Sequence, residues 1–243
     1  EAETTLPPIR SDRPSSGFSP YLLPKQTFQI ESGFSFDSEN RDENEIMRYN
    51  FGSSMLRYGL FENFEIRATG FYRIREVHQE DSPIDSTVSG FGPLRLGFKV
   101  FAVEEKGLRP EMAVVANLTL RHLGDDSFAP VFSYPVASLL FANTLSPKLT
   151  VVYNTGFAYS GKNADGFFIY RLALNYAPVP KLILFVEPFG NFDHGDLPNH
   201  KLQGGLTFAV RNNLQFDAFF GTGLSNQVSK NFGGIGFSWR IPR

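Results

Sequence analysis

The stretch from Lys201 to Arg240 alternates apolar and small or polar residues with a period of two, and that pattern restricts it to β-sheet. Leu202, Gly204, Leu206, Phe208 and Val210 alternate with Gln203, Gly205, Thr207 and Ala209. After Arg211-Asn212-Asn213 the alternation resumes, with Leu214, Phe216, Ala218 and Phe220 against Gln215, Asp217, Phe219 and Gly221. A third run sets Gly233, Ile235, Phe237 and Trp239 against Gly234, Gly236, Ser238 and Arg240. Successive side chains of a strand point to opposite faces, so each run carries one greasy face and one small or polar face. A soluble sandwich would bury the greasy face. A transmembrane barrel turns it to lipid and lines its interior with the other.

The same alternation recurs upstream. Phe28, Ile30, Phe34 and Phe36 oppose Gln29, Glu31, Gly33, Ser35 and Asp37; Met47, Tyr49, Phe51 and Met55 oppose Arg48, Asn50, Gly52 and Ser54. Strands follow at 64–75, 94–102, 112–121, 132–143, 149–157, 168–176 and around Glu187, which brings the expectation to about twelve, inside the bacterial barrel range. The stretch 132–143 is apolar on both faces and its sides stay unassigned. Pro135 and Pro188 fall inside predicted strands, where a missing N–H predicts a bulge or a strand end.

Connections decide between sandwich and barrel. Those after even-numbered strands are short, as at Gly59–Asn63 and Ser146–Lys148. Those after odd-numbered strands, such as Ser38–Asn44 and Glu76–Ser89, are longer and more charged. Loop length segregated to one side predicts an all-β, transmembrane antiparallel up-and-down barrel with short periplasmic turns and longer outer loops. Both termini then lie in the periplasm of a Gram-negative bacterium. Phe237 and Trp239 are expected in an outer aromatic girdle at the membrane interface. The ending Phe237-Ser238-Trp239-Arg240 resembles the C-terminal assembly signal of outer-membrane barrels, with Ile241-Pro242-Arg243 running past it.

Composition is compatible with this. Mean hydropathy is −0.18 and no apolar run is long enough for a helical span, as a barrel requires. The 26 Phe and 9 Tyr supply an outer apolar face. Cysteine is absent, so there is no disulfide frame and no thiolate metal site. A net charge of −2 without a basic cluster argues against nucleic acid as a partner; the expected partners are outer-membrane lipid and other envelope proteins. Residues 1–26 are Pro-rich and patternless, an extended segment at the periplasmic mouth or a disordered tail, while 27–243 form the barrel. Glu1-Ala2-Glu3 fits a mature N-terminus left after signal-peptide cleavage.

The inner face carries the charge. In this register Glu31, Arg48, Glu65, Arg67, Arg73, Arg95, Lys99, Arg121, Arg171, Glu187, Asp217 and Arg240 line the lumen. Charges there need water or a partner. They either select a solute or fill the barrel as an ion-pair network.

Family resemblance rests on short motifs spread along the chain. Ser11-Asp12-Arg13-Pro14, Ser19-Pro20-Tyr21, Pro24-Lys25 and Phe28-Gln29-Ile30-Glu31-Ser32-Gly33 resemble the opening of the outer-membrane transporter family of the "MetA pathway of phenol degradation". Leu56-Arg57-Tyr58-Gly59-Leu60 with Phe64-Glu65-Ile66-Arg67, then Gly90-Phe91-Gly92-Pro93-Leu94, Gly204-Gly205-Leu206-Thr207 and Gly234-Ile235-Gly236-Phe237, are similar to its later strands. The resemblance implies a small outer-membrane barrel with a transport role and no catalytic residues.

Chemistry is otherwise sparse. His78, His122, His194 and His200 fall in or beside predicted outer loops, with Asp125, Asp126, Asp193 and Asp196 near them in sequence. No spacing matches a metal-ligand or triad pattern, so no catalytic residue, metal ligand or cofactor is assigned. Two functions remain open. One is a channel or transporter for small solutes through a narrow charge-lined lumen; the other is a non-transporting accessory barrel of a larger outer-membrane complex.

Overall fold

The computed structural model describes residues 6–41, 44–79, 86–162, 165–192, 199–224 and 231–241. Its strands are β1 (Phe28–Arg41), β2 (Asn44–Phe61), β3 (Phe64–Gln79), β4 (Ser86–Phe91), β5 (Arg95–Val103), β6 (Glu111–Thr119) and β7 (Tyr134–Ser146). They continue with β8 (Leu149–Tyr159), β9 (Gly166–Val179), β10 (Leu182–Phe192), β11 (Asn199–Arg211), β12 (Leu214–Gly223) and β13 (Asn231–Ile241). Every pairing is antiparallel, and apart from β3 with β5 the ladders join neighbours in the chain until β1 pairs β13, which closes the sheet on itself. β4 and β5 lie end to end along the same edge of β3, so thirteen segments make a barrel of twelve staves. Closure leaves no full-length edge to be paired by another chain.

Side-chain alternation sets the two surfaces. Leu206, Phe208, Phe216 and Ile235 stand exposed on the outside, as do Phe237 and Trp239. Gln203, Gln215, Asp217, Ser238 and Arg240 are buried on the inside. A wall this apolar is stable against hydrocarbon and costly against water. The fold is a transmembrane barrel whose outer wall meets lipid.

Four hairpins turn on residue pairs at one end of the barrel: Glu62-Asn63, Pro147-Lys148, Pro180-Lys181 and Asn212-Asn213. A fifth connection at that end, 104–110, is longer; at the other end 120–133 is the longest, and β1 and β2, where a longer loop is predicted, are only two residues apart. Strands reach further at this end than the alternation suggests. Residues 38–41 and 76–79 continue β1 and β3, and 86–89 begin β4, where loops are predicted. Cross-strand hydrogen bonds hold these extensions, and no greasy face marks them because neither side meets lipid. The expected terminal features at Glu1-Ala2-Glu3 and at Pro242-Arg243 lie outside the described residues, as does Glu80–Asp85 of the Glu76–Ser89 connection.

A bulge corrects one strand's sidedness. Gly52 takes φ +54°, and β2 carries one extra residue between Phe51 and Ser54. The faces swap beyond it. Met55, predicted outward, points in and meets the Arg67 guanidinium; Ser54, predicted inward, bonds Ser32 Oγ at 2.8 Å. The same swap turns Arg57 inward. Pro188, by contrast, makes no bulge: β10 keeps constant register with β11 through Glu187, Pro188 and Phe189. Pro135 sits at the second position of β7.

Candidate functional site in the barrel interior

Residues 7–27 run through the interior, not across its mouth. They enter at the short-turn end, where Ile9 N–H donates to Asn212 O at 2.7 Å and Arg240 Nη2 donates to Pro7 O at 2.6 Å. They cross the barrel and return to the same end, where Thr27 N–H donates to Pro24 O and Gly59 N–H to Thr27 O. Pro7, Pro8, Pro14, Pro20 and Pro24 leave fewer backbone donors to satisfy away from water.

The wall grips this segment through its acids. Glu31 accepts from Ser11 Oγ at 2.9 Å and from the N–H groups of Asp12 and Arg13 at 3.1 Å. Glu65 accepts from Leu23 N–H at 3.0 Å. Asp217 takes both Nε and Nη2 of Arg13, at 3.1 and 3.0 Å. Glu187 is met by Ser15 Oγ at 2.9 Å and by the N–H groups of Ser16 and Gly17 at 2.9 and 3.0 Å, consecutive donors shaped for an anion. Across from it, Asn154 pairs both its amide groups with the backbone of Phe18 at 2.8 Å. Arg13 has room because Gly33 and Gly236 flank it; a Cβ at either would run into its guanidinium.

One cluster concentrates the charge. Arg57 forks onto Glu65, with Nε and Nη2 each 2.7 Å from an oxygen, and reaches Glu31 with Nη1 at 2.7 Å. Asp12 lies among three cations: Arg67 Nη2 at 2.7 Å, Lys99 Nζ at 2.9 Å and Arg57 Nη1 at 3.6 Å. Lys99 Nζ also donates to the carbonyls of Ser19 and Tyr21. The Phe18 ring lies 4.4 Å from the Arg67 guanidinium carbon. Beside this cluster, Leu22 packs on Ala113, Val115 and Leu140, with Phe18 and Phe101 at the rim. That contact explains why β7 is apolar on both faces: Leu139 faces outward, and Leu140 faces the segment.

The segment separates two cavities. One of about 510 Å³, towards the long-loop end, is bordered by Asp37, Arg48, Lys201 and Phe232. The other, about 300 Å³ and nearer the short turns, is bordered by Asp12, Thr144, Asn175 and Thr207. Pro14 and Ser15 line both, so the chain itself is the partition.

The residues expected to line the lumen fall into three groups. Glu31, Glu65, Arg67, Lys99, Glu187, Asp217 and Arg240 are buried on the inner face. Arg48, Arg73, Arg95 and Arg171 are half-buried there: Arg48 pairs with Asp37 at 2.6 Å and with Glu39, and Arg73 Nε donates to Asn50 at 2.7 Å. Arg121 is a correction. β6 ends at Thr119, and Arg121 is exposed in the following turn, its guanidinium on Val131 O and its N–H on Ser133 Oγ. The sequence alternates past the last ladder residue, whereas Leu120 and Leu123 turn aside to bond Leu94, between β4 and β5. Phe237 and Trp239 are 37% and 41% exposed on the outer wall.

Three partners escaped the alternation. Arg57 is hidden by the bulge, for which Gly52 within an otherwise regular strand is the signal. Asp12 and Arg13 lie in a stretch with no period at all. Their signal was the surplus of inward charge on the wall, which had to be met by something. Among the histidines, His200 lies in β11 and its Nδ1 is 2.7 Å from Tyr170 Oη, with the Phe192 ring against it. His78 is 3.9 Å from Glu76, and His122 is exposed. Asp125 caps Phe91 N–H. His194, Asp193 and Asp196 lie outside the described residues.

The sequence profile of the family described as "Putative MetA-pathway of phenol degradation" matches residues 11–241. The chain belongs to that family. The match to the MetA-pathway family begins at Ser11, so it includes the interior segment as well as the strands. No curated protein matches the sequence. Among solved structures, this MetA-pathway barrel is similar to the COG4313 outer membrane channel from Pseudomonas putida F1, at 11% identity and TM-score 0.71 over 91% of this chain and 97% of that one. It is similar too to the translocator domain of autotransporter NalP from Neisseria meningitidis (12% identity, TM-score 0.57, 90% of each chain). The NanC porin gives 7% identity and TM-score 0.53 over 87% of this chain and 98% of that one. At identities this low the likeness shows the barrel fold alone.

Proposed function

We propose that this protein is an outer-membrane channel for small solutes, closed in this state by residues 9–24 and opened when they shift. The observation that carries the reading is the pair of cavities, about 510 and about 300 Å³, parted by a stretch of chain that belongs to neither wall. A barrel that needed only filling would gain most from bulky apolar side chains. This one holds its segment largely through hydrogen bonds and ion pairs, whose partners water or another ion can replace once the segment shifts. The phenol-degradation description of the family fits passage of small molecules. In this reading the short turns and both termini face the periplasm after signal-peptide cleavage, lipid surrounds the wall, and the inner charges line a narrow path. The surplus of inward cations gives it an anion preference.

A cross-link tests the reading. Ser11 Oγ and Ser238 Oγ are 2.7 Å apart, and the chain has no cysteine of its own. The double variant S11C/S238C, oxidised, is expected to stay closed in planar bilayers; reduction restores the low, anion-preferring conductance of the unmodified protein. Deleting residues 1–20 is expected to raise conductance several-fold. Porin-sized currents from the oxidised form, or silence from a folded deletion variant, would overturn the proposal. In the second case, a stoichiometric partner recovered in mild detergent would support the accessory-barrel reading.

A further inference from the structure

We propose that the cradle of Arg57, Arg67 and Lys99 is a carboxylate-binding site, occupied in this state by Asp12 of the chain itself, and that a small organic carboxylate with an apolar body competes for it. The inference rests on the channel reading and adds the chemical class of the solute.

Charge balance is the first argument. The wall contributes three cations, Arg57, Arg67 and Lys99, against two acids, Glu31 and Glu65. Three against two leaves one positive charge, which Asp12 neutralises. All of these side chains lie at or within a few percent of complete burial. If the segment withdraws, one positive charge of the cradle loses its counter-ion, and an anion that takes its place restores the balance. The open state therefore calls for another anion where the Asp12 carboxylate stood.

Unused donors are the second argument. Asp12 meets Arg67 through a single contact, Nη2 to Oδ2 at 2.7 Å. Nη1 of the same guanidinium is buried and makes no hydrogen bond, and Nε, 3.5 Å from Glu65 Oε1, is held only loosely. A carboxylate free of the backbone can turn side-on to a guanidinium and take two parallel N–H bonds. Tethered Asp12 fills the site without saturating it, as an internal competitor should.

The neighbouring surface supplies the rest of the class. Leu22 and Phe18 cover Ala113, Val115, Leu140 and Phe101 next to Lys99. Withdrawal of the segment bares this apolar floor within reach of the ammonium. A ligand that replaces the segment needs a carboxylate at one end and a hydrocarbon body at the other. Access exists already, because Asp12 and Phe18 both border the cavity of about 300 Å³.

Hexanoate, with hexan-1-ol and hexylammonium as controls, tests the site on the full chain in detergent. Hexanoate is expected to raise amide hydrogen exchange across residues 10–23, whereas the two controls leave it unchanged. By calorimetry, D12N, which removes the competing charge, is expected to bind hexanoate about tenfold more tightly than the unmodified protein. Adding K99M to D12N should reverse that gain. Equal effects of hexanoate and hexan-1-ol, or a folded D12N with no gain, would overturn the proposal. Conductance of the same preparations separates the two readings. A deletion variant that conducts, with hexanoate inert, retires the carboxylate site and keeps the channel; hexanoate acting as expected, with no variant conducting, does the opposite.

Discussion

Arg57→Ala is expected to destabilise the folded barrel by about 3–5 kcal/mol. Arg57 is fully buried and has no water to replace its partners. Its guanidinium holds Glu65 through two bonds and Glu31 through a third, and it stands 3.6 Å from Asp12. Alanine would leave those three carboxylates to Lys99 and Arg67 alone, and a buried acid deprived of its cation pays nearly the whole desolvation penalty. Lysine at the same position keeps the charge but loses the two-pronged bond to Glu65, so Arg57→Lys should fall between the two. Urea unfolding in phospholipid vesicles, followed by the single Trp239, measures it. A loss below about 1 kcal/mol for Arg57→Ala would mean that the cluster is weakly held, as exposed pairs are.

The second large effect is on the other face. Leu206→Arg is expected to cost about 2–4 kcal/mol, because it sets a guanidinium near mid-bilayer on the lipid wall. Thr207→Arg, one residue on, points into the cavity of about 300 Å³, where water and carboxylates are available, and should cost much less. The contrast isolates sidedness, since the two positions share a strand, a depth and a substituent. Similar losses at both sites in the same unfolding assay would shift the register of β11 by one residue.

These two experiments probe features of different visibility. Leu206 and Thr207 could be assigned to their faces from the sequence, because a strand with lipid on one side alternates wherever no bulge interrupts its ladder. Glu31, Glu65, Lys99, Glu187, Asp217 and Arg240 were readable for the same reason. Arg57 was not. A single extra residue at Gly52 reverses every side chain after it, and alternation read through the bulge assigns the wrong face. Arg121 failed at the opposite boundary, where the period continues on paper after the ladder has ended. The extensions 38–41, 76–79 and 86–89 were missed because strands outside the membrane lose the one-sided greasiness that reveals them.

The sequence by itself determined the wall. Period-two alternation, segregated loop lengths and the absence of helical spans leave a closed antiparallel barrel as the fold that satisfies every backbone group in a bilayer. Local rules suffice there, because each stave obeys the same alternation and pairs with its neighbour. What fills the barrel was decided by tertiary structure alone. Residues 7–27 have no period, no secondary structure and no motif that announces a destination; their place follows from matching Asp12 to three cations, Arg13 to Asp217 and three consecutive donors to Glu187. Those partners lie up to 204 positions away in the chain. Charge complementarity over such separations leaves no local pattern, and it becomes visible when the barrel closes around it.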